Sequence, residues 1–168
     1  MRSIPQESWF SYLSEMQQEL ALLSIHLYER ELELRSNLVD YSFILFSLSK
    51  TYEGFLKKYL YEMNVIDKKV YEGRRFRIGR ALNPDISHKH RDDYWLYDDV
   101  AKRCGEDVAR ELWDAWLECR NQVFHFFPKD GVTLRLDQVE QRMQQLFQAM
   151  RTAVACRRKT TRPKGVTL

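Results

Sequence analysis

Apolar residues recur along this chain at helical spacing rather than in alternation. Trp9, Leu13, Met16, Leu20, Leu23 and Leu27 follow one another at intervals of four, three, four, three and four. That is one stripe at helical period, and it predicts a long first helix running on towards Leu34. A second helix is expected from near Asn37 to about Met63. Between Tyr41 and Leu48 it is apolar on nearly every face, as suits a central helix or a subunit interface. From Asp67 to about Asp92 the periodicity fails, and Gly73, Gly79 and Pro84 predict a loop. A short helix should follow to about Arg103, with Gly105 as its stop. Leu112, Trp116, Cys119, Val123 and Phe126 then mark a fourth helix from about Glu106, ended by Pro128. A turn at Pro128 to Gly131 leads to a last helix, cored by Val139, Met143, Leu146, Phe147, Met150 and Val154. The fold class is all-α: a single up-and-down bundle of four to five helices over residues 1–156. The tail 157–168 is basic, lacks periodicity and is expected to be disordered.

Composition narrows this picture. The 168 residues suit one domain, 44% of them are apolar, and 13% are aromatic, which excludes a disordered chain. Only 6 Gly and 4 Pro argue against a turn-rich β fold. No apolar run is long enough for a membrane span, and the first residues lack the apolar core of a signal peptide. The three cysteines, Cys104, Cys119 and Cys156, are odd in number and far apart, and suggest no disulfide framework. A cytoplasmic protein is the expectation. The net charge of +3 is too small to imply nucleic-acid binding by itself. Its distribution matters more: residues 67–80 hold Lys68, Lys69, Arg74, Arg75, Arg77 and Arg80 against only Asp67 and Glu72. With Tyr71 and Phe76 interleaved, this segment is the candidate for contact with an RNA backbone; a solvated loop is the alternative. Tyr94, Trp95, Tyr97, Trp113 and Trp116 read as core. His88, His90, Asp92 and Asp93 offer metal-ligand chemistry, but Lys89 and Arg91 between them oppose a cation, and no metal site is expected.

One segment carries chemistry of another kind: Arg120-Asn121-Gln122-Val123-Phe124-His125. An imidazole suits proton transfer near neutral pH, and a guanidinium binds phosphate as a charged fork. In a regular helix, residues five apart differ by about 140° around the axis, so Arg120 and His125 share no face: Arg120 must wrap around, the helix must loosen before Pro128, or two chains must pair across it. Asn121 and His125 would share one. A solvated Arg120 and a helix-capping His125 are the plain alternative.

The Arg-x4-His segment, with apolar helix before it and a capped helix after it, resembles the signature of the HEPN superfamily. The resemblance covers about residues 37–154. Within that superfamily Tyr52-Glu53-Gly54-Phe55-Leu56-Lys57 looks most like the toxin domain of the ribonuclease LS type. The resemblance implies a helical bundle acting as a metal-independent endoribonuclease without cofactors, its composite site at a homodimer cleft. It implies the toxin of a toxin–antitoxin or phage-defence system, with RNA as substrate and an antitoxin protein as partner. It carries catalytic roles onto Arg120, His125, Glu53 and Asn121; a plain ion pair with Lys57 explains Glu53 equally well. Some such toxins are silenced by nucleotidylation of a Tyr two places after the His; Phe127 stands there instead. A non-catalytic HEPN-like adaptor that binds partners through its helices is the rival reading.

Overall fold

The structure is a computed structural model that describes residues 3–126, 128–129 and 131–160. Phe127, Asp130 and the tail from 161 onwards lie outside the described residues. Among those described there are seven α-helices and no strand. They are α1 (Glu15–Leu34), α2 (Leu45–Glu62), α3 (Lys68–Glu72), α4 (Ile78–Ala81), α5 (Tyr97–Cys104), α6 (Glu106–Trp116) and α7 (Leu136–Thr160). The expected all-α bundle is present. Its body is α1, α2, α6 and α7 with the shorter α5 against α6, while α3 and α4 are single turns within the stretch expected to be a loop.

Helix α2 is the central element. Leu45, Leu48, Tyr52, Phe55, Leu56, Tyr59 and Leu60 have no exposed surface. Three of their rings stack in series along the helix, Tyr52 on Phe55 at 6.1 Å and Phe55 on Tyr59 at 5.9 Å. Ile44, Leu45 and Leu48 are buried, whereas Phe43 and Phe46 face outward. The all-round apolar stretch therefore serves the core on one side and leaves aromatic surface on the other.

The N-terminal stripe is corrected. Trp9 and Leu13 are buried in irregular turns, and α1 begins only at Glu15. Ser14 and Gln17 start it with a reciprocal capping box, each side chain accepting from the other's backbone N–H. The face α1 buries is Ala21, Ser24, Ile25 and Tyr28, so Met16 and Leu23 point to solvent. Trp9 stacks instead on Phe147 of α7 at 5.1 Å. Arg151 of α7 forks onto the nearby Glu7 carboxylate at 2.6 and 2.9 Å.

Two further expectations change. Cys104 and Cys156 form a disulfide, with Cα atoms 5.7 Å apart. The ends of α5 and α7 meet only when the bundle closes, which no spacing in the sequence reveals. This removes the cysteine argument for a cytoplasmic location. Gly105, at φ 96°, turns the chain sharply from α5 into α6, as its expected role as a stop required. Helix α7 runs on through 157–160, the start of the segment expected to be disordered, and Arg157 pairs with Glu62 at 2.8 Å. No described helix is long and apolar enough to cross a membrane.

Candidate active site

The motif segment is not a regular helix. Helix α6 gives way to a π-turn over Leu117–Asn121, closed by the Gln122 N–H donating to the Leu117 carbonyl at 2.9 Å. A π-turn carries an extra residue, displacing backbone groups from their usual partners. Helix α2 holds this irregularity: the buried Ser49 hydroxyl donates to the Cys119 carbonyl at 3.0 Å. Three residues on, Tyr52 donates to the Leu112 carbonyl at 3.0 Å. Cys119 is fully buried, as its place on the stripe predicted, and burial pushes its thiol up to about 12.

The same face of α2 continues to Glu53, whose carboxylate lies 4.0 Å from the Arg120 guanidinium. Arg120 also lies over the Trp116 ring at 5.0 Å. Flanked by an indole and a carboxylate, it keeps about a third of its side chain in solvent (35%), so a phosphate can reach it. Glu53 is shared: Lys57, one turn along α2, approaches the other carboxylate oxygen at 4.0 Å. The two readings of Glu53 thus coexist. Asn121 ends the π-turn, half-buried. His125 lies beyond it at an exposed bend, after a turn in which Phe124 N–H donates to the Arg120 carbonyl at 3.2 Å. The helix loosens between Arg120 and His125, one of the ways the five-residue spacing left open. It does so early enough that Asn121 and His125 no longer share a helical face.

The basic segment is more ordered than expected. Asp67 caps α3 by accepting from the Val70 N–H at 2.7 Å. Lys68 is taken by Glu72 at 3.7 Å and Arg80 by Asp92 at 2.8 Å. Tyr71 is used internally, stacked on Tyr61 at 4.8 Å. Lys69, Arg74, Arg75, Arg77 and Arg80 line a groove of about 810 Å³ together with Phe76 and Tyr94, while Lys68 does not. Tyr94, expected in the core, is 54% exposed. Gly79 lets α4 pack closely on Trp116: a Cβ there would lie 2.7 Å from the indole nitrogen.

Sequence reasoning missed Ser49 and Trp116. Each stands four residues before a singled-out residue, Glu53 and Arg120, so helical neighbourhood was the available signal. Among the described residues no three His, Cys, Asp or Glu side chains converge as metal ligands, and His88, His90 and Asp92 stay in an exposed loop. No protein-family model, curated protein or solved structure matches the chain.

Proposed function

We propose that this protein is a metal-independent endoribonuclease of the HEPN kind, working in the cytoplasm as the toxin of a toxin–antitoxin or phage-defence system. The observation that supports it is the pairing of Glu53 with a half-exposed Arg120 on a distorted helix end, with an exposed His125 just beyond. Cleavage of RNA needs no external nucleophile. The 2′-hydroxyl attacks the adjacent phosphorus and loses its proton to a base, and the bond to the 5′-oxygen breaks as an acid protonates it. The products are a 2′,3′-cyclic phosphate and a 5′-hydroxyl. Arg120 stabilises charge on the phosphorane, and Glu53 orients its guanidinium. His125 transfers the proton, and Asn121 contacts the strand beside it.

One imidazole is not base and acid at the same instant. A two-fold pair supplies two copies of His125, one neutral and one protonated, and so completes the step. Exposed Val39 and Phe43 ahead of α2, Phe46 on α2 and Phe126 just after the motif segment supply apolar surface for that pairing. The same surface favours the second reading, a non-catalytic adaptor that docks a helical partner or an antitoxin. In the cytoplasm Cys104 and Cys156 are expected as thiols.

Incubating single-stranded RNA with the wild type and with His125→Ala in EDTA tests the proposal. Cleavage that survives EDTA and drops ~10²-fold in the folded variant supports the nuclease. Undiminished cleavage by a folded Arg120→Ala, His125→Ala double variant removes it and favours the adaptor.

A further inference from the structure

We infer that the groove lined by residues 67–81 and Tyr94 is a binding track for single-stranded RNA, with phosphates on Arg74, Arg75 and Arg77 and a base against Phe76 and Tyr94. That the strand is RNA rests on the nuclease reading above; that the groove takes a single-stranded polyanion does not.

The charges in this groove are unequally employed. Arg80 is tied to Asp92 at 2.8 Å, and Asp67 is engaged as the cap of α3. The side chains of Arg74, Arg75 and Arg77 are exposed and make no ion pair or hydrogen bond among the described residues. Three guanidinium groups within four positions repel one another, and no described residue pairs with their charge; an anion would. The groove, at about 810 Å³, is large enough for a nucleotide and part of its neighbour.

The aromatic residues narrow the ligand. Tyr71 is occupied by Tyr61, but Phe76 and Tyr94 both line the groove, and Tyr94 keeps 54% of its surface exposed. Phe76 packs one side against the core, so the exposed ring is Tyr94; cations beside an exposed aromatic face suit unpaired bases, which stack, and not a duplex, whose bases are already stacked. The groove shares one element with the candidate active site. Its α4 wall touches the Trp116 indole through Gly79, and Arg120 lies over that same ring at 5.0 Å.

The test uses the full chain and a short, fluorescently labelled 2′-O-methyl oligonucleotide, which has no free 2′-hydroxyl and stays intact. Anisotropy gives its affinity across a series of salt concentrations. Changing Arg74, Arg75 and Arg77 together to Gln should weaken binding at least ~10-fold and flatten the log–log salt slope by about 2, at roughly 0.7 per phosphate for single strands. Tyr94→Ala should weaken it about fivefold or more, and Phe76→Leu, which keeps an apolar filling, should do likewise. Thermal melts of each variant exclude unfolding as the cause. Unchanged affinity and slope in the triple variant overturns the track. Equal binding of inorganic polyphosphate, with no effect of Tyr94→Ala, overturns the strand and leaves a polyanion site. The nuclease reading fails separately: binding that obeys these expectations while unmodified RNA stays uncut keeps the groove and removes the enzyme.

Discussion

Glu53 on α2 faces Arg120 across the π-turn at 4.0 Å while Lys57 competes for the same carboxylate at an equal distance. The two pairs are separable by substitution. Lys57→Met leaves Glu53 to Arg120 alone and should leave RNA cleavage within about twofold of wild type. Glu53→Gln keeps the shape and removes the charge that orients the guanidinium; a loss of roughly tenfold in kcat is expected, with little change in melting temperature. The reverse ranking assigns Glu53 to the surface pair.

Ser49 is the handle by which α2 holds the π-turn. Ser49→Ala removes a buried hydrogen bond, and about 1 kcal/mol of stability should go with it, or a melting point lower by about 2–4 °C. Tyr52→Phe, one turn away, removes the bond to the Leu112 carbonyl in regular α6 and should cost similar stability. Only Ser49→Ala should lower kcat beyond what the stability loss explains, because only it frees the turn that carries Arg120. Equal kinetic effects from both variants would show that the π-turn has no special part.

Much of the architecture was legible in the sequence because α2, α6 and α7 carry their apolar residues at strict helical spacing. The N-terminus misled for a definite reason. The apparent stripe runs through Leu20, Leu23 and Leu27, whereas α1 buries a narrow face of Ala21, Ser24 and Tyr28, Tyr28 donating to Glu140 of α7 at 2.8 Å. The Ser14-x-x-Gln17 cap, which sets the true start, was readable. The π-turn has no compositional mark, since it depends on Ser49 reaching across from another helix. The Glu53–Arg120 pair was suggested only by family resemblance, because its members lie on different helices. Charge, with Tyr71 and Phe76 interleaved, marked the basic segment. Which aromatic ring would be free, Tyr94 rather than Tyr71, followed from packing on Tyr61.

The Cys104–Cys156 bridge closes a loop with a sequence separation of 52. A loop of that size corresponds to about 4 kcal/mol in the chain-entropy account. Reduction with dithiothreitol, or Cys156→Ser, should therefore lower the melting temperature by several degrees. The variant should show no further response to the reductant. An identical melt with and without reductant would show that the bridge does not stabilise the fold.

Glu7 gives the fold an acid-sensitive contact. The hydrogen bonds from Arg151 hold its carboxyl below the ordinary value of 4.5, partly opposed by burial, with Trp9 adding a further bond. The folded pKa is depressed, so the contribution is fully present above about pH 4.5 and is lost as pH falls through the folded value. Glu7→Gln should lower the melting temperature at pH 7 by about 1–3 °C, given the partial exposure of both partners. The gap should narrow steadily below pH 4.5. A gap that persists at pH 2–3 would trace the effect to packing around Trp9 instead.

The assembly is tested at Phe46. Its ring is 57% exposed and meets Phe124 edge-on at 5.7 Å, which joins the outer face of α2 to the motif segment. Phe43, just before α2, and Phe126, just after the motif segment, are 40% and 85% exposed and add apolar surface at the adjoining chain positions. A two-fold axis near this surface would set each copy's Phe46 against the other's and bring both motif segments together. Light scattering at about 50 µM should then give twice the chain mass. Phe46→Glu places a carboxylate in that seam and should yield a monomer with an unchanged melting temperature, since little of the ring supports the chain's own core. If cleavage needs two copies of His125, this monomer should lose activity while still binding the 2′-O-methyl oligonucleotide. A wild type that is monomeric across the micromolar range, yet fully active, would require one chain to supply both base and acid, and His125 would need a second proton-transfer group beside it.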